Sequence, residues 1–191
     1  MSVACAIIST DRRWHLVAEK ILPSVLEQAF DEVVVVGGGE SGDGYRHLLV
    51  PDVTGSTIDA LMKRDTAAAA TESDVIVYLC DDHRLTPTFL MLLQSKYLHD
   101  TEWDALAPQR FCMRDGQRCY LNMGQGEKYV GGHAVVVRRN LIREIPWMTA
   151  PHSKFWDKMQ SYRWTGHGAT IKYADNDLLI EDIESGATPW L

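Results

Sequence analysis

Asp81-Asp82-His83 is the group of side chains in this sequence best suited to chemistry. Two carboxylates beside an imidazole can bind a divalent cation, and magnesium or manganese held there can neutralise a leaving diphosphate. The plainer account is that one aspartate caps the helix expected from Pro87 while the others are solvated. Position favours chemistry. The group follows Asp74-Val-Ile-Val-Tyr-Leu-Cys80, a β-branched and aromatic run that reads as a buried strand. Open α/β sheets bind their ligands at the C-terminal ends of such strands.

A second stretch invites a different chemistry. Val33 to Val36 runs into Gly37-x-Gly39-x-x-Gly42, the spacing of a dinucleotide-binding turn. That turn needs a helix of several turns starting within it, with its N-terminus facing the pyrophosphate. No such helix fits here. Only Tyr45 and Arg46 separate Gly44 from the strand-like run His47 to Val50, which Pro51 ends. The glycines also follow a second strand rather than the first. They are expected to form a loop after that strand.

The elements that must position these residues read as alternating strands and helices. Ala4 to Ile8 is an apolar strand ending in Ser9-Thr10-Asp11, and Trp14 to Phe30 carries apolar residues at helical spacing. Glu32 to Val36 reads as a second buried strand, giving a β-α-β unit with parallel neighbours. Ser56 to Thr71 is the next expected helix, followed by the strand to Cys80 and a helix over Pro87 to Leu98. Beyond residue 100 the spacing predicts a short strand over Trp103 to Pro108 and a pair of strands or a hairpin over Arg110 to Leu121. A polar loop at Gly124 to Lys128, a strand over Tyr129 to Arg138, a helical turn at Arg139 to Glu144, a helix over Pro151 to Trp164 and a strand over Ala169 to Tyr173 complete the pattern.

Composition bounds what this architecture can serve. With 191 residues, 46% hydrophobic and 24% charged, the chain fits one compact domain, since a chain of this length buries about 70% of its unfolded surface. No apolar run approaches the roughly 20 residues of a spanning helix, and no charged leader precedes an apolar stretch, so no membrane span and a cytoplasmic location are expected. A net charge of -7 argues against a protein whose main task is gripping nucleic acid. Cys5, Cys80, Cys112 and Cys119 form no C-x-x-C pair, which points to reduced thiols and leaves any metal to oxygen or imidazole ligands.

The order of these features resembles the inverting GT-A glycosyltransferases of family two, which transfer sugar from a nucleotide diphosphate. A strand ending in a small polar turn is matched by Ile7-Ile-Ser-Thr-Asp11. A strand ending in V-D-D-G-S-x-D-G is matched by Val36 to Gly44. A helix with A-R-N-x-G leading to D-x-D is matched by Lys63-Arg64-Asp65-Thr66-Ala67 and by Cys80-Asp81-Asp82. The match covers roughly residues 1–100 well and the remainder loosely. It departs from the family at Gly37 and Gly38, where carboxylates usually contact the base, and at Cys80, the first acidic position of D-x-D.

The resemblance implies a single GT-A domain over 1–191, with a mixed, mainly parallel sheet flanked by helices. Residues 1–100 would form the nucleotide-sugar half and 101–191 the acceptor half. Thr10, Asp11, Arg12, Gly37, Gly38, Arg64, Asp65, Asp81 and His83 would bind the donor. Asp82, assisted by Glu181 or Asp182, would hold a manganese or magnesium ion against the diphosphate. Asp157 would be the base that takes the acceptor proton. Gly131, Gly132, His133 and Trp156 would line the acceptor, and one of Trp147, Trp156 and Trp164 would face a ligand. The implied reaction is transfer of a sugar from a nucleotide-diphosphate donor to an acceptor hydroxyl with inversion. The acceptor, whether glycan, protein, small molecule or modified nucleobase, is left open, as is the oligomeric state. A nucleotidyltransferase has a similar sheet and similar carboxylates, but Ser9-Thr-Asp-Arg-Arg13 lacks the glycines of its first loop. A non-catalytic nucleotide-sugar or partner-binding domain of the same fold would account for the missing carboxylates.

Overall fold

The computed structural model describes residues 1–53, 57–121, 134–149, 156–175 and 177–183. The strands are β1 (Val3–Ser9), β2 (Glu32–Gly37), β3 (Arg46–Leu48), β4 (Val75–Cys80), β5 (His83–Leu85), β6 (Ala105–Ala107), β7 (Gln109–Arg114), β8 (Gln117–Leu121), β9 (Ala134–Arg138), β10 (Ile171–Tyr173) and β11 (Leu179–Asp182). Seven of them form one sheet in the order β10-β6-β9-β4-β1-β2-β3. Strand β1 pairs parallel with both β2 and β4, and β2 pairs parallel with β3. Strand β9 runs antiparallel to both its neighbours, β4 and β6. Strands from both halves of the chain therefore share a single mainly parallel α/β sheet.

The sequence explains the central strands. Successive side chains point to opposite faces, and β1 buries all seven of its residues because both faces are covered. Val3, Cys5 and Ile7, with Val75, Val77 and Leu79, pack on one face against Val17, Ile21, Val25 and Phe89. Ala6 and Ile8, with Ile76 and Tyr78, pack on the other against Leu61, Ala67, Leu141, Trp147 and Trp164. The first face carries a continuous helical passage that changes pitch: a 3-10 turn over Asp11–Arg13, α-helix over Trp14–Leu16, a π turn over Val17–Ile21 and α-helix over Leu22–Leu26. The helix Phe89–Leu92, continued as a π turn over Leu93–Tyr97, covers the same face. The helix Thr57–Ala70 covers the second, joined there by Trp147 of the short turn Trp147–Thr149 and Trp164 of the helix Trp156–Gly166.

A second sheet in the order β5-β11-β7-β8 stands apart from the sequence expectations. The hairpin β7–β8 was legible, but β5 and β11 were not: they pair antiparallel across almost a hundred residues, with Asp182 opposite His83 and Glu181 opposite Arg84. His83 is thus the first residue of a strand. The loop at 124–128 and the expected strand start at 129–133 lie outside the described residues. So does the expected helix start at 151–155; the described helix runs from Trp156.

Candidate functional site

Parallel strands β1, β2 and β4 end on the same edge of the sheet. The register puts Ser9 beside Gly37 and Ile8 beside Cys80, so the turns Thr10–Arg13, Gly37–Gly39 and Asp81–Asp82 converge. Asp81 is the pin of this edge. Its Oδ2 accepts hydrogen bonds from the Thr10 backbone N–H (2.9 Å) and the Thr10 hydroxyl (2.6 Å). Arg13 donates from one nitrogen, Nη1, to Asp81 Oδ1 at 3.2 Å and to Asp82 Oδ2 at 3.3 Å. Asp82 also meets Nδ1 of His83, whose side chain is fully buried. Behind His83, its Nε2 lies 4.0 Å from Asp182, which accepts a 2.9 Å hydrogen bond from Arg110. Acidic and basic groups therefore alternate from Arg13 at the surface to Arg110 beneath it.

The glycine loop has a steric origin. A Cβ on Gly37 would lie 2.0 Å from the Ser9 carbonyl oxygen, and the residue sits at φ +121°, a conformation that L side chains rarely adopt. A Cβ on Gly38 would meet the Asp11 carboxylate at 2.3 Å and the Asp11 backbone N at 2.5 Å. The turn after β1 thus fills the space that side chains at these two positions would need. No dinucleotide-type helix follows: Gly42 and Tyr45 close a small turn, and the chain enters β3 directly.

Other predicted residues are placed differently. Arg64 is wholly buried; its guanidinium donates to the Ala60 carbonyl at 3.1 Å and to the Cys80 sulfur at 3.3 Å, and stacks 5.5 Å from the Trp147 ring centre. Burial pushes the Cys80 thiol up to about 11, against the pull of Arg64, so it is neutral at pH 7 and no substitute for a carboxylate. Asp65 accepts the backbone N–H groups of Trp147 and Met148, both at 2.8 Å, and so caps the turn Trp147–Thr149. Burial raises its carboxyl above the usual aspartate value despite those two bonds. Glu181 is gripped by Nε and Nη2 of Arg84, both at 2.8 Å, and it is the neighbouring Asp182 that turns toward His83. Arg12 is exposed at the rim. Asp157 lies partly buried in the first turn of the helix Trp156–Gly166, where one oxygen accepts the Lys158 N–H at 2.8 Å. Trp147 and Trp164 are core residues packed edge to face, 4.7 Å apart. Gly131, Gly132 and His133 lie outside the described residues, as does the side chain of Trp156.

Three groups at this edge take places that the sequence alone does not assign. Arg13, not its neighbour Arg12, reaches the carboxylates; sequence spacing does not say which of two adjacent arginines a 3-10 turn aims inward. Lys63 is almost wholly buried and donates to the Ser9 carbonyl at 2.8 Å while also binding Asp52, tying the 50–53 loop to the end of β1. Its place beside Arg64 and Asp65 was the available signal. The sequence leaves Glu181 and Asp182 as alternatives; the register of β11 against β5 distinguishes the two.

Among the described residues no group of three or more His, Cys, Asp and Glu side chains converges as a metal site. Magnesium-like ions, however, are held by one or two carboxylates together with substrate phosphates rather than by all-protein cages. The donor set here fits that mode: two hard carboxylates face one point, and the Arg13 nitrogen seated there marks it as favourable to positive charge.

No protein-family model matches the sequence, and no curated protein sequence matches it. Solved structures do match the fold. The mannosyltransferase PcManGT from Pyrobaculum calidifontis, in complex with GDP-Man and Mn2+, superposes with a TM-score of 0.64 at 16% identity, covering 95% of this chain and 56% of its own. TarS 1-349 of S. aureus in complex with UDP-GlcNAc gives 0.67 at 13%, covering 95% and 58%. Glucosyl-3-phosphoglycerate synthase from Mycobacterium tuberculosis, in complex with Mn2+, UDP and phosphoglyceric acid, gives 0.57 at 14%, covering 90% and 67%. The chain thus spans little more than half the length of the first two. Strand order, the shared strand-end edge and these superpositions agree that the chain has the fold of the GT-A glycosyltransferases.

Proposed function

We propose that the protein transfers a sugar from a nucleotide-diphosphate donor to an acceptor hydroxyl, with inversion, at the edge where β1, β2 and β4 end. One observation carries this: Asp81 and Asp82 stand side by side at the end of β4, bonded to the turn after β1, on the same strand-end edge as the glycine loop after β2. Thr10, Asp11 and Arg12, with Gly37 and Gly38, form the donor side. There Gly37 and Gly38 contribute backbone only, beside the Asp11 carboxylate. Asp81 fixes the turn after β1 against the end of β4, and Asp82, the less buried of the pair, is the residue assigned to the cation. A manganese or magnesium ion, when bound, supplies charge neutralisation for the departing nucleotide diphosphate. His83 orients Asp82 from behind. Arg64 and Asp65 act from beneath by holding Cys80 and the Trp147–Thr149 turn. Asp157 is the base in this scheme: it accepts the proton of the acceptor hydroxyl as that oxygen attacks the anomeric carbon. Gly131, Gly132, His133 and Trp156 are assigned to the acceptor side.

The test is a thermal-shift screen of UDP-, GDP-, CDP- and dTDP-sugars with and without manganese, since a ligand that binds only the folded state raises its stability. One donor class is expected to raise the melting temperature only when metal is present, and to be hydrolysed slowly. Binding without turnover of any donor would favour a non-catalytic nucleotide-sugar domain. No shift with any of them would refute the assignment.

A further inference from the structure

Arg13 is seated on both carboxylates of the pair, and its position raises a conflict. A hard divalent cation needs carboxylate oxygens at about 2.0–2.6 Å. The Arg13 Nη1 already stands 3.2 Å from Asp81 Oδ1 and 3.3 Å from Asp82 Oδ2, between the same two oxygens. Two positive charges cannot share that point, because each destabilises the other at a separation of a few ångström. Asp81 cannot turn away, since its second oxygen is held by both donors of Thr10. Arg13 can: its side chain is 39% exposed and rises on a flexible stem from the 3-10 turn Asp11–Arg13 at the rim. A guanidinium also fits phosphate oxygens bidentately, which gives it another anionic partner when a diphosphate arrives.

We propose that the Arg13 guanidinium and a divalent cation are alternative occupants of the Asp81–Asp82 pair, so that the pair retains a cation only when a nucleoside diphosphate takes over the guanidinium. Arg13 is in this sense a positioning residue that orders the binding steps, nucleotide with or before metal. The inference rests on the donor site proposed above.

The experiment measures manganese binding to the whole chain with no nucleotide present, by loss of the free aqua-Mn2+ resonance in electron paramagnetic resonance. Arg13→Gln is expected to bind manganese at least tenfold more tightly than the wild type, and adding UDP or GDP is expected to tighten the wild type far more than the variant. Arg13→Met, with a stem of similar length and no charge, should behave like Arg13→Gln and serves if the latter does not fold. Variants that bind manganese no more tightly than the wild type, or not at all, would overturn the proposal. So would a wild type that binds it tightly alone. Nucleotide binding is read separately by thermal shift. A panel of nucleotide sugars that fails there refutes the transferase assignment, whereas intact nucleotide binding with no gain in the Arg13 variants refutes only the exchange.

Discussion

Asp81→Ala should remove more stability than its place in a turn just past a strand suggests. The side chain is 7% exposed and receives the Thr10 N–H at 2.9 Å, the Thr10 hydroxyl at 2.6 Å and Arg13 at 3.2 Å. Arg13 is exposed enough for water to take over its share, so that contact counts for about 0–1 kcal/mol. The two Thr10 donors lose a charged acceptor in a poorly hydrated corner, at about 1–3 kcal/mol together. The total is about 1–4 kcal/mol, or roughly 2–16 °C in melting temperature for a chain of this size. Urea unfolding followed by tryptophan fluorescence measures it. A double-mutant cycle with Thr10→Val isolates the hydroxyl, with an expected coupling of about 1 kcal/mol. A loss below about 0.5 kcal/mol, or zero coupling, would mean that Asp81 does not pin the turn after β1 and would remove the physical basis for separating its role from that of Asp82.

Gly37→Ala places a Cβ 2.0 Å from the Ser9 carbonyl oxygen at φ +121° and should destabilise by about 3–5 kcal/mol. Gly116→Ala, at φ +75° with open space around it, should lose only about 1–2 kcal/mol in the same urea titration, and equal losses would refute the steric origin of the loop. Asp65→Ala removes the acceptor of the Trp147 and Met148 N–H groups and should cost about 1–2 kcal/mol with a change in tryptophan emission. Burial opposes ionisation of Glu32, but the Ser73 hydroxyl, the N–H groups of Glu72 and Ser73, and Arg46 outweigh it and hold the carboxyl below its ordinary value. A depressed carboxyl stabilises the fold above its unfolded pKa and loses that contribution as pH falls through the folded one. The stability gap between wild type and Glu32→Gln should therefore be full at pH 7 and shrink progressively below about 4.5 in pH-dependent denaturation.

Much of the fold was written in local pattern. Val33 to Val36 and Val75 to Leu79 are continuous β-branched and apolar runs, as parallel strands buried on both faces must be, and their ends located the carboxylates. What escaped is what depends on pairing. Strands β5 and β11 are three and four residues long and carry His83, Arg84, Glu181 and Asp182, so neither periodicity nor composition marks them. Only their register shows that Asp182, not Glu181, approaches His83. Gly37 and Gly38 looked like lost carboxylates in the sequence. In the fold they are positions where the approach of Ser9 and Asp11 admits no side chain. Arg64 runs the other way: a charged residue in a matching motif suggests ligand contact, while in the fold it is buried with Cys80, the Ala60 carbonyl and the Trp147 ring among its partners.

The most direct measurement is a crystal structure of the protein soaked with manganese and the nucleotide that raises its melting temperature, with anomalous data at the manganese edge. One strong anomalous peak is expected within bonding distance of Asp82 and of the nucleotide diphosphate, with Arg13 withdrawn from the pair. Nucleotide density at another edge of the sheet, or manganese bound away from Asp81 and Asp82, would contradict the account.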